Sequence, residues 1–591
     1  MTATLNQVLS SIKDSMRTGE YLLAYDWALI GLLDHPKDEQ LRYFAVLALA
    51  RTGATDQAQA KYELYEMNSF STLETAALGS RLIKDKALIS HPRKKTRRFT
   101  KAAELYEEVF DREGRTQFYP AINAATTYHL AGEIERAQEL ANEVLELCNA
   151  TEPSYWRYAS EAEAYLLKND ISQAKAALIQ ASALAESDLA SIAATKKQLA
   201  LIYNDPEVLD TLKIPRVIHY AGHIINPNSN AGRFPADQES EIANSIAKLI
   251  KELDVGIAYG SLAAGADILF AEAVLANGGE VHVTLPFDIE DFKETSVAQS
   301  GGEWLDRFDE CWAAASSQSF SSKGGYCGDD TLFDYCSLYS MGRACLRHQH
   351  LGSPLSQILV WDGEKPAAPA GTYKDYQTWS GLGFDTHIIP VKGVVRENAN
   401  TPPKVRPVID NERKLHAIVF GDIKGFSSLT DAKLPIFVSE IMGCLASVID
   451  SMDNSVLMAN TWGDGLFIVL KDVSVAAKCA KNMQKALKKL TVEDPELQEK
   501  AELRLGIHFG PVYNLKDPIT KRQNFFGEHV NRAARIEPIT PPRQVYVTEP
   551  FAAQLALTES ANYKTEYVGY IPMAKDYGEL PMYLLQEKFD D

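Results

Sequence analysis

The chain has no C-x-x-C pair, no surplus of positive charge and no uninterrupted apolar run approaching the ~18 residues that cross a bilayer. Its start, MTATLNQVLSSIKDSM, lacks the basic stretch and apolar core of a secretory signal, so a cytoplasmic protein without membrane attachment is expected. The seven cysteines (Cys148, Cys311, Cys327, Cys336, Cys345, Cys444, Cys479) then read as packed thiols of a reducing compartment. Cys327, Cys336 and Cys345 recur every nine residues near His348 and His350, a spacing that fits no common zinc module. With 60 Lys and Arg against 79 Asp and Glu, the formal charge of −19 excludes broad binding to nucleic acid, and any anionic ligand needs local cations. Glycine and proline show no excess that would signal disorder, and 46% hydrophobic residues are enough for ordinary cores.

What is present divides into three regions, since 591 residues exceed one core. Residues 1–212 are rich in Ala, Leu, Glu and Gln at helical spacing, and a pattern recurs: GEYLLA from Gly19, GATDQA from Gly53, GEIERA from Gly132 and NDISQA from Asn169. Each has a turn residue and an Ala five positions later, and Arg98 opens a fainter copy in RFTKAA. A turn between two helices, with Ala where they approach closely, is what a stacked helical hairpin requires. The region resembles the tetratricopeptide repeat family, which implies a surface for a protein partner. The basic cluster RKKTRR (93–98) reads as a solvated loop.

Residues 213–394 alternate short β-rich runs (RVIHYAGH, VGIAYG, EVHVTLPF, QILVWD) with helical stretches, the pattern of a parallel sheet wrapped by helices. The loop GSLAAGAD follows a strand and opens a helix. With Gly222 and His223 it resembles the Rossmann-related SLOG domains. That resemblance implies a second nucleotide site in which Gly260, Ser261 and Gly265 cradle a phosphate or ribose. The other reading is that Gly260 and Gly265 only permit tight strand-to-helix packing. Residues 395–411, with Pro402, Pro403 and Pro407, read as a linker.

The chemistry concentrates in residues 412–591. In KLHAIVFGDIKGFSSL an apolar strand breaks off at Gly421 and a carboxylate, Asp422; a second acid, Asp464, lies in NTWGDGLF, where Asp464-Gly465 signals a hairpin. Two carboxylates brought side by side in one sheet would hold one or two divalent cations. In GEHVNRAARIEP, Gly527 begins a short helix that Pro538 ends, with Asn531 and Arg535 on one face and Val530 and Ala534 packed beneath. One amide and one guanidinium suit a ribose and a phosphoryl group.

The motifs FGDIKGFSSL, NTWGDGLF, LRLGIHFGPVY and FFGEHVNRAARIE, in this order, resemble the class III nucleotide cyclases. The resemblance implies an α+β, ferredoxin-like domain that makes a 3′,5′-cyclic nucleotide and pyrophosphate from a nucleoside triphosphate. Asp422 and Asp464, with the Ile423 carbonyl, would hold two Mg²⁺ or Mn²⁺ ions. Asn531 would fix the ribose, Arg535 would stabilise charge on the α-phosphate, and Phe426 would belong to the triphosphate loop. Lys575, one place later than the family's Lys falls, would neutralise the terminal phosphates. A single copy of the domain requires a homodimer, because the family's sites form between two such domains.

Base choice rests in the family on two positions, Lys and Asp in adenylate cyclases and Glu and Cys in guanylate cyclases. Here they are Asn460 and Asn524. Carboxamides donate and accept, so ATP stands as the default while GTP and the pyrimidine triphosphates stay open, nonstandard positions being known in the family's bacterial antiviral branch. The competing function class is a noncatalytic nucleotide-binding scaffold assembled through the repeats.

Overall fold

The computed structural model describes residues 4–70, 72–185, 188–227, 232–365, 370–392, 413–558 and 562–588. The linker expected at 395–411 lies outside the described residues, as does the domain boundary at 412.

The N-terminal region is built of antiparallel helix pairs, and the residues singled out as turns are turns. Gly19, Gly53 and Gly132 cap the helices Leu5–Thr18, Glu39–Thr52 and Phe118–Ala131 with φ of 77°, 81° and 91°, and Asn169 takes φ 61° after Tyr155–Leu167. A side chain with a Cβ resists this left-handed conformation, which is why glycine and asparagine recur there. The alanines five residues on, Ala24, Ala58, Ala137 and Ala174, are completely buried. The fainter copy is not a turn: Arg98 lies inside the continuous helix Pro92–Arg112. The RKKTRR cluster forms the first turns of that helix and is not a loop, because Pro92 and the His91 cap start it ahead of the basic residues.

In the central region six parallel strands are arranged β4-β3-β2-β1-β5-β6: β1 Arg216–Gly222, β2 Val255–Gly260, β3 Glu280–Leu285, β4 Ser317–Phe320, β5 Leu355–Trp361 and β6 Thr386–Pro390. The chain reverses direction across the sheet between β1 and β5, so a crevice opens beyond their carboxyl ends. Alternate residues of β1 serve different cores, Ile218 and Tyr220 one and Val217 the other.

The C-terminal region holds β7 Lys414–Ile423, β8 Val456–Trp462, β9 Gly465–Leu470, β10 Leu503–Lys516, β11 Gln523–Phe526, β12 Val545–Thr548, β13 Tyr563–Pro572 and β14 Glu579–Glu587. The sheet order is β13-β14-β12-β10-β7-β9-β8, with β11 paired to β10. Helical segments connect β7 to β8 and β9 to β10, giving the ferredoxin-like core β10-β7-β9-β8. The segment 431–450 between β7 and β8 is long and apolar enough to cross a membrane, with mean hydropathy 1.6 and 17% of it buried. It escaped the sequence reading because Lys433 and Glu440 interrupt the run. Its two ends lead into strands of one sheet, and Phe437, Ile441 and Leu445 pack into the domain core.

One helix, Thr331–Leu351, touches all three regions. It lies on the central sheet, Gly342 abuts Ala553 of the C-terminal helix Glu549–Thr558, and Arg347 ion-pairs with Glu20 at 2.8 Å.

Candidate active site

The pleat alternation of β7 puts Ile418, Phe420 and Asp422 on one face, where Ile418 joins Phe467, Val512 and Ala533 in a small core. β9 pairs antiparallel with β7, Gly421 opposite Leu466, so the β8–β9 turn arrives at the end of β7. That turn consists of Gly463, at φ 68°, and Asp464; Gly465 already pairs with Trp462 as the first residue of β9, so the expected Asp464-Gly465 turn is displaced by one residue. Asp422 and Asp464 thus converge. Burial, with a hydrogen bond and charge from Asp422, pushes the Asp464 carboxyl up to about 6.

Two further charges, not foreseen in the sequence, complete this corner. Arg504 stands opposite Asp422 in the β7–β10 register and donates to its Oδ2 from Nη2 at 2.5 Å and from Nε at 3.1 Å. It also ion-pairs with Glu537, whose carboxyl is raised first by burial. The signal was available: Arg504 breaks an apolar strand as Asp422 does.

Hard oxygen donors crowded closely enough to raise one carboxyl form a set that a divalent cation would relieve, so the residues fit a metal pair. Ile423 ends β7 with its side chain buried, leaving its backbone carbonyl as the group it could offer.

The other expected site residues lie apart from the acids. Gly527 caps the helix Glu528–Ala533, on which Asn531 is exposed, and Arg535 follows in the next turn. The helix stops at Ala533, short of Pro538, so its buried residues are His529, Arg532 and Ala533; Val530 and Ala534 are only partly covered. His529 Nδ1 lies 2.8 Å from His508 Nε2, whose Nδ1 lies 2.7 Å from Thr548 Oγ1. The helix therefore rests on a stacked imidazole pair, and Gly510 leaves room for it: a Cβ there would come within 2.4 Å of His529. Among the described residues, no hydrogen bond or ion pair joins Asp422 or Asp464 to Asn531, Arg535 or Lys575.

Lys575 is exposed in the β13–β14 connection at φ 59°. Asn460 is exposed on β8 and accepts from the Thr461 amide at 3.0 Å. Asn524 accepts from the Phe525 amide at 2.8 Å and donates to Asp517 at 3.4 Å. The Phe426 ring packs on Phe437 with centroids 4.9 Å apart and lies beneath Gly463.

In the central region Gly260 ends β2 against the Tyr220 ring, where a Cβ would come within 2.4 Å, and Gly265, at φ 103°, precedes the helix Ala266–Ala276. Gly260 and Ser261 border a cavity of about 990 Å³ at the carboxyl edge of the sheet. Its charged walls are acidic, with Asp267, Asp291, Glu294, Asp330 and Asp375 and no Lys or Arg among its described lining residues. Burial pushes Asp267 and Asp375 up to about 7. This charge is the reverse of what a phosphate would select.

Residues 411–587 match the family described as Adenylate and Guanylate cyclase catalytic domain, and residues 24–128 match Tetratricopeptide Repeats-Sensor. The C-terminal third is thus similar to cyclase catalytic domains, and part of the helical region that precedes it to tetratricopeptide sensor repeats. Human guanylate cyclase soluble subunit beta-2 is 29% identical over 163 residues, 25% of this chain and 26% of its own length. Mouse guanylate cyclase 2G is 30% identical over 183 residues, 29% of this chain and 16% of its own. The chain thus spans about a quarter or less of these relatives. Among solved structures, the guanylate cyclase domain of RhGC from Catenaria anguillulae in complex with GTP is 16% identical, covering 29% of this chain and 97% of that one at a TM-score of 0.26. The adenylyl cyclase CyaB from P. aeruginosa is 17% identical, covering 30% and 96% at a TM-score of 0.26.

Proposed function

We propose that the protein is a cytosolic, homodimeric class III cyclase that converts a nucleoside triphosphate, ATP being the first candidate, into its 3′,5′-cyclic monophosphate and pyrophosphate. The observation that carries this reading is the convergence of Asp422 and Asp464 at one end of the sheet, while Asn531 and Arg535 sit apart on the same chain. A second copy would bring its helix to the acids of the first. The exposed apolar residues Leu457 and Trp462 on β8 and Val438 on the crossover helix offer a surface for such pairing.

Bound Mg²⁺ or Mn²⁺, held by Asp422, Asp464 and the Ile423 carbonyl, would supply Lewis acidity to the ribose 3′-hydroxyl and the triphosphate. Asn531 orients the ribose for in-line attack at the α-phosphorus, and Arg535 offsets the charge that appears there in the transition state. Lys575 meets the terminal phosphates, Phe426 supports their loop, and Asn460 and Asn524 face the base.

The test is incubation of the purified chain with each of ATP, GTP, CTP and UTP in Mg²⁺ or Mn²⁺, with products separated by mass. A cyclic monophosphate is expected from one of them, and its mass names the base. No product from any of the four would leave the scaffold reading in its place.

A further inference from the structure

The cations missing from the central cavity are found among the helical repeats. A separate cavity of about 560 Å³ opens between helices Glu39–Thr52, Leu73–Leu88, Tyr155–Leu167 and Leu189–Ala200. Arg51, Arg81, Lys84 and Lys197 line it, against the carboxylates of Asp85 and Glu163. Among the described residues, Arg81 alone of these four is ion-paired, with Asp85 at 3.3 Å.

The other three cations are held by neutral groups. Lys84, 5% exposed, donates to Gln198 Oε1 at 2.8 Å. Lys197 donates to the backbone carbonyls of Gln349 and His350 at 3.1 and 2.6 Å. Arg51 donates to the Ala190 carbonyl at 3.2 Å, and its buried Nε has no hydrogen-bond partner. Glu163 is committed to Thr126 and Gln198, and burial raises its carboxyl toward the neutral form. Burial and the charges of Arg81 and Arg51 bring Lys197 down to about 8.

Gathering four basic side chains in one recess with a single ion pair among them, Arg81 to Asp85, is costly unless an anion arrives to pair with the rest. The volume is that of a small-molecule site, and Trp156 and Tyr119, 41% and 38% exposed, add aromatic side chains to its lining.

We propose that this cavity binds a small phosphorylated molecule with a planar body, its phosphate held by Arg51, Lys84 and Lys197 and its ring covered by Trp156 or Tyr119. The cavity wall includes Gln349 and His350, at the end of the Thr331–Leu351 helix that reaches the cyclase domain, so the ligand would touch the element joining all three regions.

The test uses the full chain in EDTA, where the metal-dependent cyclase site cannot hold phosphates, with inorganic pyrophosphate and the four ribonucleoside 5′-monophosphates as probes. Calorimetry and thermal shift should find at least one probe bound, with affinity falling as salt rises. Arg51→Gln and Lys197→Gln, on different helices, should each weaken that binding tenfold or more, whereas Arg535→Ala should leave it unchanged. Absence of binding by every probe would overturn the proposal, as would binding that survives both cavity substitutions or is lost with Arg535→Ala.

Discussion

Ser322, just past β4 of the central region, donates its hydroxyl to Glu528 Oε2 at 2.9 Å, and Glu528 is the first residue of the helix that carries Asn531. The Lys323 amide adds a second bond to the same carboxylate at 3.1 Å, and Arg532 closes the group from within the helix at 2.9 Å. The cyclase helix is therefore positioned from outside its own domain. Glu528→Gln is expected to cost about 1–3 kcal/mol of stability through the lost charged hydrogen bonds. It should also lower turnover about tenfold, with a smaller effect on KM, because a displaced Asn531 misplaces the ribose. Steady-state kinetics beside a denaturant titration check this; an unchanged kcat would mean that the contact does not position the helix.

Asp422→Asn is expected to lower turnover by two or more orders of magnitude with little change in melting temperature. Its Arg504 partner keeps the ion pair with Glu537, so no buried guanidinium is left alone. Mn²⁺ titration followed by calorimetry should lose its high-affinity phase in the same variant. Activity equal to wild type would remove Asp422 from the metal site.

The parts legible in the sequence were those where one residue type is forced by one local demand. Gly19, Gly53, Gly132 and Asn169 announced themselves because a left-handed turn admits few residues, and Asp422 because a carboxylate interrupts an apolar strand. Strands β4 (SQSF) and β6 (THIIP) were not foreseen: both lie at sheet edges, where solvent removes the apolar demand. The His508–His529 pair and the group Arg51, Lys84 and Lys197 were hidden for another reason. Each residue is unremarkable locally, and only tertiary packing of distant segments brings them together.

Gly342 packs directly on the C-terminal helix Glu549–Thr558: a Cβ there would lie 2.3 Å from the Ala553 carbonyl oxygen. Gly342→Val therefore forces the two helices apart, which overpacking data put at about 1–3 kcal/mol. The expected outcome is earlier melting of the whole chain, with slower turnover at a temperature where wild type is fully folded. Unchanged melting would mean that this contact carries none of the docking.

Stability should fall as pH drops below about 6.5, the unperturbed histidine value. Burial brings His219, His282 and His350 down to about 3 and His223 to about 4, and holds His508 and His529 well below the usual range. In the unfolded chain these rings take up protons below 6.5 that the native state refuses, so each costs about 1.4 kcal/mol per pH unit until its native value is reached. Asp26, Asp267 and Asp375 oppose this. Burial raises each to about 7, so between pH 7 and 4 the native state binds the extra proton and acid stabilises it. Asp334 and Asp464, raised to about 6, and Glu163 and Glu537, raised by burial, act in the same direction. Burial also lowers His129, His348 and His416, so nine histidines stand against seven carboxyls and the net slope below 6.5 is a loss. The loss should steepen below pH 4, where the carboxyls are protonated in both states while His219, His282 and His350 are still neutral in the fold. Urea midpoints at pH 7.5, 6, 5 and 4 check the sign. His508→Gln, which removes one such ring, should flatten the curve, and a midpoint that rises on acidification would contradict the buried neutral imidazoles.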